Sequence, residues 1–257
     1  MKKIYVFLIV FILGIGVIMF LLFGLDSLKK EKYETALVVG DNTTWIYQNK
    51  RWMHVSSADR FVELSWQKYQ VFDDNKSIGS YDLWHDDKWY IFDDQKNAIM
   101  PTGVWFAYKS NYNIETMNFT KEEFSEDEYV TSVLSSKDLP IDSKFTKAYK
   151  SSLDIDADGI IEDFYVISNV FSLNDHPEKV FSFVFMVKNN QIYYLYDDVR
   201  DYKVYAGCSP DIITFLDADA DEVDELIVSC DQYSNLGRID MLYNFDGESF
   251  KILISNQ

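Results

Sequence analysis

Two acidic segments with the same residue pattern lie 63 residues apart, and they place the strongest constraint on how this chain can fold. In each segment three Asp alternate with other residues, a Glu stands at the ninth position, and a strand-like apolar run follows. The acidic residues are Asp154, Asp156, Asp158, Glu162 and the adjoining Asp163 in the first segment, and Asp217, Asp219, Asp221 and Glu225 in the second. Two copies in the same phase predict a repeated unit built on strands.

Alternating acidic residues in a tight loop bring several oxygen atoms toward one hard cation. Calcium takes about six to eight oxygen ligands, so we expect Ca²⁺ at these loops. The EF-hand is excluded, because its bidentate Glu at position twelve is replaced by Tyr165 and Val228. The alternative is that each loop is a solvated acidic turn without an ion.

These loops resemble those of the FG-GAP/VCBS repeats of integrin-like β-propellers, over about residues 150–257. The resemblance implies calcium-binding loops that join strands of propeller-like blades. The second loop departs from the family pattern at Glu222, where the family has a Gly that allows a positive φ angle. The sequence therefore favours the first loop as the better calcium site.

Short aromatic and β-branched runs broken by polar turns dominate the rest of the chain. Four pairs of runs predict β-hairpins, with turns at residues 48–51, 85–88, 188–191 and 246–247. A single hairpin is marginal in water, so the hairpins must stack. With 47% hydrophobic and 17% aromatic residues the chain can fill a core, and we predict a mainly β fold of stacked hairpins or propeller-like blades.

One amphipathic helix is predicted between the Trp-rich and the Asp-rich parts of the chain. Thr120 to Glu123 has the pattern of a capping box, Val130 and Val133 follow at helical spacing, and Pro140 ends the helix. We therefore divide the chain into an anchor (1–32), a Trp-rich hairpin region (33–118), a helical connector (119–140) and an Asp-rich β region (141–257).

Residues 4–25 form an uncharged run of 22 residues. At about 1.5 Å per residue it can cross a hydrocarbon core of about 30 Å, and no small-residue cleavage site follows it. We expect an uncleaved single-pass anchor in the lipid bilayer, with the C-terminal region extracytoplasmic; the alternative is a cleaved signal peptide. Cys208 and Cys230 can pair in such a compartment, or both can be free buried thiols. The net charge of −18 argues against nucleic acid as a partner.

Residues 66–106 contain a 20-residue aromatic repeat that resembles the cell-wall-binding (choline-binding) repeats of Gram-positive surface proteins. In that family aromatic rings enclose a quaternary ammonium by cation–π attraction. The resemblance implies Trp84, Trp89, Tyr90 and Trp105 as candidates for such a cage. The alternative is that these rings are core residues or cross-strand pairs.

No catalytic motif is evident in the sequence. His54, His85 and His176 are isolated, and the many acidic residues single out no carboxylate pair. We expect a non-catalytic protein that binds or displays at the cell surface, with a cell-wall or surface-protein partner. The alternatives are a cell-envelope polysaccharide hydrolase with carboxylate catalysts that the sequence does not identify, and a choline-type wall-ligand module.

Overall fold

The structure is a computed structural model that describes residues 33–73, 76–111, 114, 119–124, 126–170, 178–201, 207–232 and 237–256. The predicted membrane segment 4–25 and His176 lie outside these residues. Within the described ranges, none of the helices has the length and apolar character needed to cross a membrane. Glu34–Gln257 form one compact unit.

The fold is mainly β, as the sequence predicts. The described residues form sixteen strands and two helices. The strands are β1 (Thr35–Val39), β2 (Thr43–Gln48), β3 (Arg51–His54), β4 (Gln67–Asp73), β5 (Lys76–His85), β6 (Trp89–Phe92), β7 (Ala98–Ile99), β8 (Trp105–Ser110), β9 (Lys147–Leu153), β10 (Glu162–Ser168), β11 (Lys179–Lys188), β12 (Gln191–Asp201), β13 (Cys208–Leu216), β14 (Glu225–Gln232), β15 (Arg238–Phe245) and β16 (Phe250–Ser255). The helices are α1 (Ala58–Leu64) and α2 (Glu128–Ser136).

The strands form three antiparallel sheets. The first has eight strands in the order β3-β2-β1-β8-β4-β5-β6-β7. The second and third are four-stranded meanders, β9 to β12 and β13 to β16, in which each strand pairs with the next along the chain. One acidic loop joins the first two strands of each meander, so the sequence repeat corresponds to a structural repeat.

The third sheet lies between the other two. One of its faces packs on the second sheet around Phe164, Phe215 and Val228, and the other packs on the first sheet around Trp45, Phe106 and Ile227. Helix α2 covers the far face of the second sheet through Val133 and Leu134. Both faces of the second and third sheets are covered, so their inner strands β10, β11 and β14 are buried along most of their length instead of on one face only.

All four predicted hairpins are present as antiparallel pairs: β2–β3, β5–β6, β11–β12 and β15–β16. In the first and third, both central turn residues have a positive φ angle. These residues are Asn49 and Lys50 (φ 53° and 59°) and Asn189 and Asn190 (φ 53° and 62°). Such turns match the right-handed twist of the strands that they join.

The helices differ from the sequence prediction. The predicted capping box at residues 120–123 is wrong, because Glu122 pairs with Lys150 in a β-bridge. Helix α2 begins instead at Glu128, where the Asp127 side chain accepts from the amides of Tyr129 and Val130. Helix α1 was not predicted, because its seven residues are too few to establish a helical period.

Candidate metal centre

Each acidic loop connects the end of one strand to a second strand that begins with a buried Glu. The first loop spans residues 154–161 between β9 and β10, and the second spans residues 217–224 between β13 and β14. Glu162 and Glu225 are the first residues of the returning strands, and both are 0% exposed. Burying an ionised carboxylate is costly unless a cation or donors face it, so the partners of these Glu decide what each loop can do.

The two loops have the same internal hydrogen bonds. In the first, Asp154 accepts from the amides of Asp158 (3.1 Å) and Gly159 (2.9 Å), and Glu162 accepts from the amide of Ile155 (3.0 Å). In the second, Asp217 accepts from the amides of Asp221 (3.0 Å) and Glu222 (3.2 Å), and Glu225 accepts from the amide of Ala218 (2.7 Å). The third Asp of each loop also accepts from the amide two residues on.

The backbone of the loops agrees as well. Ala157 and Ala220 both have a positive φ angle, of 52° and 63°. Gly159 has φ 84°, and Glu222 takes the same region with φ 72°. The departure from the family pattern at Glu222 therefore leaves the loop conformation unchanged, although a residue with a side chain is strained there.

Three carboxylates converge in each loop. Oxygen atoms of Asp154, Asp156 and Glu162 lie within 4.8 Å of one another, and so do those of Asp217, Asp219 and Glu225. These six residues are among the ligands predicted from the sequence.

The other predicted ligands have different contacts. Asp163 lies next to Glu162 on β10, where neighbouring side chains point to opposite faces, and it contacts Ser152 and Lys150 instead. Asp158 and Asp221 are exposed and are not among the three converging carboxylates of their loops, although Asp158 contacts Lys188 and Asp221 raises the pKa of Asp219. The structure thus brings together a part of each predicted set.

In the first loop a lysine faces the carboxylates. Nζ of Lys188, at the end of β11, lies 2.8 Å from both Asp156 oxygens, 2.7 Å from Asp158 Oδ2 and 2.9 Å from Glu162 Oε1. The Lys188 side chain is 9% exposed. Burial lowers the pKa of the Lys188 ammonium, but its close contacts with the three carboxylates outweigh burial and raise the pKa above its ordinary value.

In the second loop no cationic side chain of the described residues contacts the carboxylates. Glu225 Oε1 and Asp219 Oδ1 are buried there, with neither a hydrogen bond nor an ion pair among the described residues. Glu162 Oε1 of the first loop also lacks a hydrogen bond, but it has the Lys188 ammonium at 2.9 Å. Burial, followed by the charge of Asp219, raises the pKa of Glu225 to about 9. Burial, followed by the charge of Asp221, raises the pKa of Asp219 to about 6. The second loop therefore gathers acidic groups without a cation beside them, and their ionised forms are disfavoured in the absence of one.

The second loop is also held by the first sheet. The Thr35 hydroxyl on β1 donates to the Ala218 carbonyl at 2.8 Å. Tyr47 on β2 faces Asp219, and burial together with this carboxylate raises the pKa of Tyr47 to about 12. Asp224, at the end of the loop, donates its amide to the Ile155 carbonyl at 3.1 Å, which links the two loops. Burial and then the charges of Asp217 and Asp154 raise the pKa of Asp224 to about 7.

Sequence reasoning missed Lys188 and Tyr47. Lys188 precedes the Asn189–Asn190 turn, where a lysine ordinarily points into water, and it is 26 residues beyond Glu162. Tyr47 is 172 residues before Asp219. Only the pairing of β10 with β11, and the packing of the first sheet on the third, bring these side chains to the loops.

The predicted cage residues lie on two sides of the first sheet. Trp84 and Tyr90 are directly opposite each other on β5 and β6, with ring centroids 5.7 Å apart. Trp89 and Trp105 are buried on the other side, where the Trp89 indole donates to Thr44 Oγ1 at 2.7 Å. The rings that join Trp84 are Trp66, at 6.0 Å, and Phe92, at 6.4 Å.

The structure joins Cys208 and Cys230 in a disulfide, with their Cα atoms 5.5 Å apart. The bridge connects β13 to β14, the two strands that carry the second acidic loop. It lies at the end of the hairpin opposite the loop, since Cys208 begins β13 and Leu216 ends it.

Comparisons with protein-family models, curated proteins and solved structures found no match to this chain.

Proposed function

We propose that this chain is a single-pass membrane-anchored, extracytoplasmic protein without catalytic activity, in which a calcium ion at the second acidic loop stabilises a β-repeat body for binding or display at the cell surface. The main support for the calcium site is the environment of the Glu225 carboxylate. Its carboxylate is 0% exposed, one of its oxygens has no partner among the described residues, and Asp217 and Asp219 lie beside it.

The chemistry of the second loop fits calcium better than other cations. All of its converging ligand atoms are carboxylate oxygens, which hard cations prefer to nitrogen or sulfur ligands. Magnesium demands near-ideal octahedral geometry and gives up water reluctantly, whereas calcium tolerates irregular sites. Millimolar extracellular calcium matches the dissociation constants of about 10⁻⁴–10⁻³ M of extracellular modules.

Two features support a repeat similar to FG-GAP/VCBS blades. Each meander has four antiparallel strands, and each carries its acidic loop between the first and second strands. The uncharged run at residues 4–25 and the Cys208–Cys230 bridge support an anchored, extracytoplasmic location, because disulfides persist in oxidising compartments.

The test is calcium binding by the full-length chain in detergent micelles, with calorimetry and thermal unfolding in calcium and in chelator. At calcium 100 times the dissociation constant, one site stabilises by about 2.7 kcal/mol. At about 2–4 °C per kcal/mol this is a rise in Tm of roughly 5–11 °C.

We expect Glu225→Gln and Asp219→Asn to abolish both the binding heat and the rise in Tm. Glu222→Gln is the matched control, because it removes one charge from the same loop at an exposed side chain outside the cluster. The absence of heat and of a Tm shift in the wild-type chain would overturn the calcium site.

The aromatic cluster of Trp66, Trp84, Tyr90 and Phe92 in and beside the first sheet supports a second function, binding of a choline-type cation. Trp66 is 52% exposed and is held at φ 55°, a region that bulky residues rarely adopt and that often marks functional sites. Lys96 Nζ already lies 4.5 Å from the Trp66 ring centroid, so the ring faces a cation.

Choline titration followed by tryptophan fluorescence tests this function. We expect saturable quenching that Trp66→Ala or Trp84→Ala removes and that Lys96→Gln strengthens, because Lys96 competes for the ring. Tyr194→Ala is the control, since Tyr194 also has a lysine over its ring but belongs to another sheet. Quenching unchanged in both Trp variants would exclude the aromatic surface as the choline site.

A further inference from the structure

The two acidic loops differ at one position of the neighbouring strand. In the second sheet Asp163 pairs with Val187, so continuing the register by one residue sets Lys188 opposite Glu162. In the third sheet Leu226 pairs with Tyr243, so the same step sets Asn244 opposite Glu225. Asn244 therefore occupies the position in the third sheet that Lys188 occupies in the second.

We infer that Lys188 is the built-in cation of the first loop, that it keeps calcium out of this loop, and that the protein binds one calcium ion, at the second loop, where Asn244 replaces the lysine. The stoichiometry rests on the proposed calcium site, whereas the exclusion of calcium from the first loop does not. The sequence favours the first loop as the metal site; the side-chain contacts favour the second.

The contacts of Lys188 carry this inference. Its ammonium is within 2.7–2.9 Å of Asp156, Asp158 and Glu162, two of which belong to the converging set of three. A cation held by these oxygens would overlap the ammonium, which would have to leave a site where it is 9% exposed. Two positive charges cannot share the three carboxylates without strong repulsion.

The second loop lacks such an occupant. Among the described residues its carboxylates form no ion pair, and Glu225 Oε1 and Asp219 Oδ1 remain buried without a partner. The Asn244 side chain is uncharged and carries a carbonyl oxygen, a ligand type that calcium accepts. With Asn244 at this position, a cation from solution has to balance the carboxylates of the second loop.

A reciprocal exchange of these two residues tests the inference by the number of calcium ions bound per chain, measured by calorimetry. We expect one ion in the wild-type chain, two in Lys188→Asn and none in Asn244→Lys. Asp156→Asn in Lys188→Asn should remove the second ion. Two ions in the wild-type chain, or one ion in both the wild-type chain and a folded Lys188→Asn, would overturn the inference.

If Lys188→Asn does not fold, variants that keep Lys188 still test the inference. Asp156→Asn alone should leave one bound ion, whereas Asp219→Asn should leave none. Loss of the ion in Asp156→Asn with retention in Asp219→Asn would place calcium in the first loop and overturn the inference.

A failure of the proposed function would give a different result from a failure of this inference. If the wild-type chain binds no calcium but Lys188→Asn binds one ion, the second loop is not a calcium site and Lys188 is still what excludes calcium from the first. If neither protein binds calcium, the inference fails together with the proposed function.

Discussion

The two acidic loops of this chain share a backbone and a hydrogen-bond pattern, yet they differ in how their negative charge is balanced. Lys188 lies among the carboxylates of the first loop, whereas the second loop keeps a buried carboxylate oxygen without a partner in the described structure. The difference shows that an Asp-x-Asp-x-Asp pattern specifies the loop conformation. We propose that the residue opposite the buried Glu determines whether the loop needs an external cation.

The surroundings of the loops extend this contrast. The second loop contacts the first sheet through Thr35 and Tyr47, so a cation there stabilises contacts between residues far apart in the chain. The first loop is balanced by a strand of its own sheet. We therefore expect calcium to act on the packing of the first sheet against the third, and to leave the second sheet unchanged.

Removing the internal cation should have the largest effect on stability. Lys188→Met leaves Glu162 and Asp156 buried or half-buried without a counterion, and loss of one partner of a buried ion pair costs about 3–5 kcal/mol. We expect the free energy of unfolding in chelator to fall by about 3 kcal/mol, measured by urea denaturation. Calcium should restore part of this loss, because the first loop then accepts a metal.

Lys251→Met is the matched control for this change. Lys251 pairs with Asp246, but its side chain is 64% exposed, and exposed pairs contribute about 0–1 kcal/mol. An equal loss of stability in the two variants would contradict the role of Lys188 as a buried counterion.

The pH dependence of stability should distinguish the loops in the metal-free protein. The pKa of Glu225 rises from 4.5 to about 9 in the folded state, so between these values the folded chain holds a proton that the unfolded chain has lost. The folded state then binds more protons, and stability falls as the pH rises through this window. We expect the free energy of unfolding in chelator to decrease from pH 5 to pH 9.

Two conditions should flatten this pH dependence. Saturating calcium favours the ionised carboxylates, and Glu225→Gln removes the titrating group. Urea denaturation at several pH values measures both. A metal-free wild-type protein whose stability rises between pH 6 and pH 9, or a Glu225→Gln variant with the wild-type slope, would contradict the assignment.

The sequence predicts the mainly β class of the fold, half of the described strands and the converging carboxylates of the two loops. Aromatic and β-branched runs flanking short polar turns identify all four hairpins, because both signals are local. The start of helix α2 is missed, since Thr120–Glu123 satisfies the local capping pattern while the Glu122 backbone donates one hydrogen bond to Lys150 and accepts one from it. Tertiary pairing overrides a local propensity here.

The converging Asp and Glu are predictable for the same reason, since their spacing within one loop determines where their oxygens meet. Lys188, Asn244 and Tyr47 are not predictable, because strand register and sheet packing bring them to the loops. The preference for the first loop as the calcium site rests on Glu222 and therefore considers only the backbone conformation. The side-chain contacts, which the sequence does not reveal, lead us to propose the second loop instead.

A smaller effect is expected where the first sheet contacts the second loop. Tyr47→Phe removes the hydroxyl that faces the half-buried Asp219. Loss of the partner of a fully buried polar group costs about 1–3 kcal/mol, so the lower end of this range applies here. We expect the metal-free protein to lose about 1 kcal/mol in urea denaturation. Tyr108→Phe is a control, because the Tyr108 hydroxyl donates to the Ile114 carbonyl, away from the loop. A loss only in Tyr108→Phe would contradict the coupling.

The smallest effect should come from the position where the loops differ in backbone strain. A left-handed conformation costs about 1–2 kcal/mol for a residue with a side chain, and Gly in return loses about 0.5–1 kcal/mol more conformational freedom on folding. Glu222→Gly, at φ 72°, should therefore stabilise the protein by about 0.5–1 kcal/mol. The reverse change, Gly159→Ala, should destabilise it by a similar amount, since the new Cβ meets no atom within 4 Å and only the backbone at φ 84° opposes it. Urea denaturation of both variants measures these changes in the free energy of unfolding, and Glu222→Gln separates the effect of charge. Stabilisation by Glu222→Gln equal to that by Glu222→Gly would assign the gain to charge repulsion in the second loop and not to its backbone.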